Sequence, residues 1–111
     1  MGRKAKKQSK AQILLGIHLK ELGFDYEIEP RICPERRWRA DIGLPAVRVY
    51  LECDGGMWAG GHKRGAALED DYDKQNTAQV RGWRILRFTN GQVFDGRAKD
   101  FIAKHLAAQQ E

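Results

Sequence analysis

Two carboxylates on neighbouring predicted strands are the residues of this chain whose types and spacing could do chemistry. Asp41 lies in a predicted strand over 38–44. Glu52 lies in the next one, over 47–54, where strand alternation places it on the same face as Asp54. Carboxylates that converge at a sheet edge repel one another unless a lysine, an arginine or a hard divalent cation joins them. The spacing leaves two interpretations open, surface ion pairs with arginines such as Arg87, or a metal site.

A lysine on the next predicted helix could complete such a site. The helix is predicted over 66–81, and Asp71 and Lys74 share one of its faces through their i, i+3 spacing. The Lys74 ammonium would hold an attacking water or stabilise charge on a phosphate. Asp71 would fix Lys74 or help to bind a second ion. A metal held by Asp41 and Glu52 beside a lysine suits phosphodiester hydrolysis, because the metal lowers the pKa of its bound water.

A glycine-rich segment over 55–65 carries further candidates and is predicted to be a mobile loop. His62 could act as a general acid or base, or remain a solvated loop histidine. Lys63 is a second candidate for the catalytic cation, and Lys63 and Arg64 are candidate phosphate contacts. Trp58 either stacks on a base or folds over the loop as a lid.

The excess positive charge of the chain lies at its N-terminus. The net charge is +5, and five of the 20 basic residues fall within the first ten positions, which hold no acid. An arm over 1–8 with this charge either attracts polyanions through counterion release or keeps the chain in solution. Three arginines before Asp41 either line a groove for phosphates or are simply exposed to solvent at the start of the strand. The candidate DNA contacts in these two segments are Lys4, Lys6, Lys7, Arg36, Arg37 and Arg39.

Length and composition limit the class of protein. A chain of 111 residues forms one compact domain, here expected over 9–111. No run of residues is long and apolar enough to span a membrane, and the start lacks the pattern of a secretory signal. Cys33 and Cys53 do not have the spacing of a zinc site. We therefore expect a reduced, cytoplasmic protein.

The predicted elements that position these residues follow the order α-(β)-β-β-α-β-α. In the first helix, over 9–22, Ser9 is the expected cap, with Gln12 at the capping-box position. The pattern predicts that Ile13, Leu14, Ile17 and Leu22 form a buried stripe on this helix.

The C-terminal part of the pattern predicts the rest of the sheet and its covering helices. A strand over 83–88 has apolar residues on both faces and is therefore expected to be central. A last helix is expected to begin near Asn90. Strands followed by a helix and a further strand favour an α/β sandwich, a mixed sheet with helices on both faces.

Three segments within about 36–94 resemble the PD-(D/E)XK, or restriction-endonuclease-like, nuclease superfamily. They are RRWRADIGLP, VRVYLECDGGMWAGGHKRG and DYDKQNTAQVRGWRILRFTNGQV. The pattern looks like the small phage and bacterial branch close to the very-short-patch-repair-like endonucleases. The resemblance implies an α-β-β-β-α-β-α core with a central mixed sheet flanked by helices.

The resemblance also implies roles for individual residues. Asp41 would be the first metal ligand, Glu52 the second, and the backbone carbonyl of Cys53 a third. Asp54 stands where the superfamily has a lysine, and is either a further ligand or a bystander. The missing positive charge would then come from Lys74 or Lys63.

Related members carry an acid on the first helix. In this chain Gln12 stands near that position, and Glu21 is the alternative. A contact from the first helix to the metal is therefore left open.

The expected function is that of a DNA endonuclease that depends on Mg²⁺, with Mn²⁺ able to replace it. Without a base-reading module, such an enzyme would select DNA by shape, at a branch, a nick or a mismatch. A homodimer would place two sites on opposite strands, as a Holliday-junction resolvase needs. The competing interpretation is a non-catalytic DNA-binding or accessory module, which Asp54 favours. An RNA substrate is also compatible with the sequence.

Overall fold

The computed structural model describes residues 7–55 and 65–110 of the chain. Its elements, in chain order, are α1 (Lys10–Glu21), β1 (Glu27–Ile28), β2 (Ile42–Leu44), β3 (Val49–Asp54), α2 (Ala66–Val80), β4 (Arg84–Thr89), α3 (Asn90–Phe94), α4 (Arg97–His105) and a 3₁₀-helix (Ala107–Gln110). The strands form one sheet in the order β1-β2-β3-β4. The β1–β2 and β2–β3 pairs are antiparallel, and β3–β4 is parallel. Helix α2 supplies the crossover that a parallel pair requires.

Helix α1 begins as the sequence predicts but buries a different face. Ser9 caps it in a full capping box with Gln12. Ile13 and Ile17 are 51% and 50% exposed, so the predicted stripe is wrong for these two, whereas Leu14 and Leu22 are partly buried against the hydrophobic core. The buried face is instead built from small residues and leucines, namely Ala11, Gln12, Leu15, Gly16 and Leu19. A Cβ at Gly16 would lie 2.6 Å from Tyr26 Oη, so only glycine permits this close approach.

Each face of the sheet carries its own core. Helices α1, α3 and α4 cover the larger one, which contains Leu15, Leu51 and Ile102. Helix α2 covers the smaller one through Ala78, the one α2 residue that is buried. Tyr50 lies in this smaller core, stacked on Trp83 with ring centroids 4.3 Å apart. Alternation places Tyr50 on the same face as Glu52 and Asp54 and predicts that this face is charged, whereas in the structure it is partly apolar.

The strand expected over 38–44 is interrupted at Asp41. Regular pairing begins only at Ile42, and an isolated bridge joins Arg31 to Arg39 upstream. Trp38 and Ala40 belong to the smaller core, whereas Ile42 and Leu44 belong to the larger one. Alternation over 38–44 predicts that these four apolar side chains point the same way, which is wrong because the chain changes faces at Asp41.

Strand β4 and the C-terminal helices also differ from expectation. Strand β4 pairs with β3 alone within the described sheet, so it is an edge strand and not a central one. Its apolar residues pack into the cores on both faces of the sheet, Leu86 and Phe88 into the larger one and Ile85 into the smaller one. The single predicted last helix is two helices, separated at Gly96, whose φ of 88° is left-handed. Thr89, and not Asn90, caps the first of them, in a capping box with Gln92.

None of the described helices combines the length and the apolar character needed to cross a membrane.

Candidate active site

Glu52 forms the centre of a group of charged side chains on the α2 side of the sheet. Lys74 Nζ donates to Glu52 Oε2 at 2.9 Å, and Arg87 Nη2 donates to Oε1 at 3.4 Å. The side chains of Glu52 and Lys74 are only 11% and 12% exposed. The sequence predicted that Lys74 could reach this sheet edge, and the contact to Glu52 is present. Its role in catalysis stays a prediction.

Arg87 connects Glu52 to two further acids. The parallel register of β3 and β4 places Arg87 beside Glu52. From there its guanidinium contacts Asp71 Oδ2 at 3.1 Å and Asp54 Oδ2 at 3.7 Å. These five residues, Glu52, Asp54, Asp71, Lys74 and Arg87, are called the charge cluster below. Asp54 therefore contributes negative charge to this cluster and Asp71 contacts Arg87.

Burial and neighbouring charges shift the pKa values of the cluster. Burial raises the pKa of Glu52, and the charges of Lys74 and Arg87 oppose this shift only in part. Burial alone would lower the pKa of Arg87, but the hydrogen bond to Asp71 and the charges of Glu52, Asp71 and Asp54 raise it. Burial and the adjacent carboxylates raise the pKa of the Cys53 thiol to about 12. A reactive Cys53 thiolate is therefore excluded near neutral pH.

Asp41 is held at the bend between two segments of chain. Its Oδ2 accepts a hydrogen bond from the Cys53 amide at 2.8 Å, where a ladder bond from β2 would otherwise lie. Its carbonyl accepts from the Glu29 amide at 2.9 Å. Glu29 has a φ of 48°, a left-handed conformation that costs free energy in a residue other than glycine. Arg39 Nη1 donates to the Glu29 carbonyl at 2.7 Å and stabilises this turn.

Asp41 lines an open cleft of about 440 Å³ on the α1 side of the sheet edge. The cleft contains polar side chains from the N-terminus of α1 and from the start of α3. Its lining residues are Lys7, Gln8, Ser9, Gln12, Asp41, Cys53, Gly55 and Asn90. Gln12 is thus the first-helix residue that lies near Asp41. Glu21, the alternative, pairs with Lys99 at 2.8 Å near the other end of α1, and that pair lowers its pKa.

Asp41 and Glu52, which the sequence predicts to hold a metal together, are neighbours, but their carboxylates have different surroundings. The charge of Asp41 contributes to the raised pKa of Glu52, so the two lie within electrostatic range. Nevertheless, Asp41 borders the cleft, whereas both Glu52 oxygens contact cationic side chains. Across residues 7–55 and 65–110, no three or more His, Cys, Asp or Glu side chains are grouped to hold a metal ion.

The oxygen donors around the strand end are nevertheless of the type that Mg²⁺ prefers. Carboxylate oxygens and a backbone carbonyl are hard ligands, and Mg²⁺ usually keeps several waters besides them. Of the two carboxylate oxygens of Asp41, only Oδ2 accepts a hydrogen bond from the described residues. Each Glu52 oxygen, however, is paired with a side-chain cation, whose positive charge opposes a metal ion at that oxygen.

The three arginines before Asp41 have separate surroundings. Arg36 stacks on Trp38, with its guanidinium carbon 3.9 Å from the ring centroid, and pairs with Asp70 at 2.7 Å. The Trp38 indole also donates to Asp70. Arg39 is committed to the turn at Glu29, and Arg37 is exposed to solvent. A phosphate contact by Arg37 stays a prediction.

Six of the predicted site residues lie outside the described part of the chain. They are Lys4, Lys6, Trp58, His62, Lys63 and Arg64. Their roles stay predictions. Lys7, the last candidate of the arm, borders the cleft.

Comparison with known proteins gives one solved structure to report. The chain is similar to the catalytic domain of the homing endonuclease I-Bth0305I, with a TM-score of 0.71 and 18% sequence identity. The similarity covers 94% of this chain and all of that domain. The chain has the fold of that domain. Neither the protein-family models nor the curated proteins gave a match.

Proposed function

We propose that this chain is a metal-dependent DNA endonuclease that hydrolyses phosphodiester bonds. The fold it shares with a homing endonuclease catalytic domain supports a nuclease. At 18% identity that similarity establishes architecture, so the proposal depends on the residues at the end of the sheet.

The observation that carries the proposal is the 2.9 Å contact between Lys74 Nζ and Glu52 Oε2. Asp54 occupies the position where the resembling superfamily has its lysine, so a nuclease of this type needs a cation from elsewhere. Helix α2 delivers that cation to the acid on β3. The strand end therefore combines carboxylates with an ammonium group despite the replacement at position 54.

The residues would divide the work according to their surroundings. Asp41, Glu52 and the Cys53 carbonyl would hold Mg²⁺ or Mn²⁺, which when bound would acidify a water and neutralise charge on the phosphate. Lys74 would orient that water or stabilise negative charge on phosphate oxygens. Lys7 and Arg37 would contact the DNA backbone, which positions the duplex without reading its sequence.

The proposed substrate is DNA selected by shape, such as a four-way junction, a nick or a mismatch. The described part of the chain forms one small domain around the sheet, which leaves little surface for reading bases. We propose further that two copies act together on opposite strands. Light scattering of the chain on four-way junctions would contradict this second proposal if it showed a single copy.

The same charge cluster favours one other function, a DNA-binding module without catalysis. Both oxygens of Glu52 are paired with side-chain cations, so this buried carboxylate is compensated without any metal. A nuclease that had lost its activity would keep such a network for stability alone.

A cleavage assay decides between the two functions. Labelled linear, nicked, flapped, mismatched and four-way DNAs would be incubated with Mg²⁺, Mn²⁺ or EDTA. The natural sequence would be compared with Glu52→Ala and with the control Glu21→Ala, which removes an exposed acid of α1. We expect metal-dependent cutting that only Glu52→Ala abolishes. Tight DNA binding without cutting in either metal would establish the binding module instead.

A further inference from the structure

Arg87 contacts Glu52 less closely than it contacts Asp71. Its Nη2 lies 3.4 Å from Glu52 Oε1, but 3.2 and 3.1 Å from the two oxygens of Asp71. Its Nη1 is also within 3.7 Å of Asp54. Arg87 would therefore keep two carboxylate partners if its contact to Glu52 were broken.

Lys74 differs from Arg87 in this respect. Glu52 is the carboxylate that it contacts in the described part of the chain, at 2.9 Å, and its side chain is 12% exposed. A buried ammonium group that loses its partner carries a large desolvation penalty. The Arg87 side chain is 31% exposed and keeps its other acids, so its movement costs less. Oε1 of Glu52 is therefore the oxygen that can exchange partners, and Oε2 stays with Lys74.

The charge balance of the cluster also favours such an exchange. Together with Asp41, its three acids and two bases give a net charge of −2, which a divalent cation would neutralise without the loss of any side-chain cation. A fixed Arg87 contact would instead keep a guanidinium beside Oε1, where its positive charge opposes a metal ion.

We propose that Arg87 is an exchangeable partner of Glu52, which occupies Oε1 in the metal-free protein and yields that oxygen to a divalent cation. Arg87 remains bound to Asp71 and Asp54 in both states. It is a positioning residue that acts through Glu52. This inference rests on the proposed metal-dependent function. It adds that Oε1 of Glu52 exchanges Arg87 for a divalent cation when the metal binds.

Calorimetric titration with Mn²⁺, without DNA, tests the exchange. Arg87→Gln removes the competing cation, so we expect Mn²⁺ to bind roughly 10-fold more tightly, as the loss of one nearby positive charge predicts. The control Arg84→Gln removes an arginine of the same strand that bonds Gln109 and the Val47 carbonyl, and should bind Mn²⁺ like the natural sequence. Unchanged or weaker binding by Arg87→Gln would overturn the exchange. No binding by the natural sequence would overturn the metal site itself.

A second measurement uses the natural sequence and so does not depend on the folding of a variant. Side-chain ¹⁵N spectra would be recorded during a titration with Mg²⁺. We expect the Arg87 guanidinium signal to shift along the binding curve while the Arg84 signal stays in place. An Arg87 signal that does not move at saturating Mg²⁺ would refute the proposal.

Discussion

The charge cluster and the Asp41 cleft lie at the same end of the sheet but differ in how their acids are satisfied. In the cluster, Glu52 is buried and both of its oxygens contact cations. In the cleft, the Asp41 carboxylate accepts a hydrogen bond from the Cys53 amide and is surrounded by amides, a hydroxyl and Lys7. The comparison indicates that Glu52 contributes to stability as well as to the proposed chemistry, whereas Asp41 is available for chemistry at little cost to the fold.

The largest expected effect comes from breaking the buried pair of the cluster. Lys74→Met leaves Glu52 with the longer contact to Arg87, so the free energy of unfolding should fall by about 3 kcal/mol. Urea unfolding would measure this. The matched control Lys99→Met breaks the exposed pair with Glu21 and should cost no more than about 1 kcal/mol. Equal losses in the two variants would contradict the structural role of the cluster.

The cleft should respond in the opposite way to the loss of its acid. In Asp41→Asn the amide oxygen can still accept from the Cys53 amide, so the free energy of unfolding should change by less than about 1 kcal/mol. Cleavage of the preferred DNA should fall by roughly 10²-fold or more, because a charge at the reacting centre is lost. A strongly destabilised Asp41→Asn with normal cleavage would reverse the assignment of the two regions.

Gln12 tests whether the cleft reaches the first helix. Gln12→Ala removes half of the α1 capping box and should cost about 1 kcal/mol in urea unfolding. Gln92→Ala makes the equivalent change in the capping box of α3 and serves as the control for stability. We expect slower cleavage only in Gln12→Ala. The same cleavage rate in both variants would show that Gln12 acts as a cap alone.

The smallest effect concerns which region faces DNA. Lys7 borders the cleft, and Arg37 lies beside the Arg36–Asp70 pair, on the side of α2. Each alanine variant that removes a phosphate contact should lower the slope of log affinity against log salt by about 1. Binding measured at several salt concentrations would show which variant does so. A change in Arg36→Ala as large as in Arg37→Ala would mean that the Asp70 pair opens on binding.

The local features of this chain could be predicted because they depend on neighbouring residues. Ser9 and Gln12 lie within one turn, so their types fix the start of α1. The acid on β3 and the lysine on α2 could also be placed by alternation and helical spacing. Those two positions predict that Lys74 reaches the sheet edge that carries Glu52, and the contact between the two side chains is present.

Other predictions were wrong because they concern features that depend on what covers each face of a helix or of the sheet. The stripe of Ile13 and Ile17 is as apolar as the buried face of α1, but Ala11 and Gly16 allow the closer packing. Strand β4 has apolar residues on both faces because two cores flank the sheet, and this pattern does not reveal whether a strand is central or at the edge.

The sequence by itself determined the order of the elements as far as β4, the starts of α1 and α2, and the presence of two acids and a lysine at one end of the sheet. Only the tertiary structure decided that the chain changes faces at Asp41. The Asp41 carboxylate therefore borders the cleft, whereas Glu52 contacts Lys74 and Arg87. The tertiary structure also decided that the β3–β4 register brings Arg87 to Glu52. The physical reason is that alternation holds only while a strand stays regular, and that contacts between strands distant in sequence depend on how the sheet assembles.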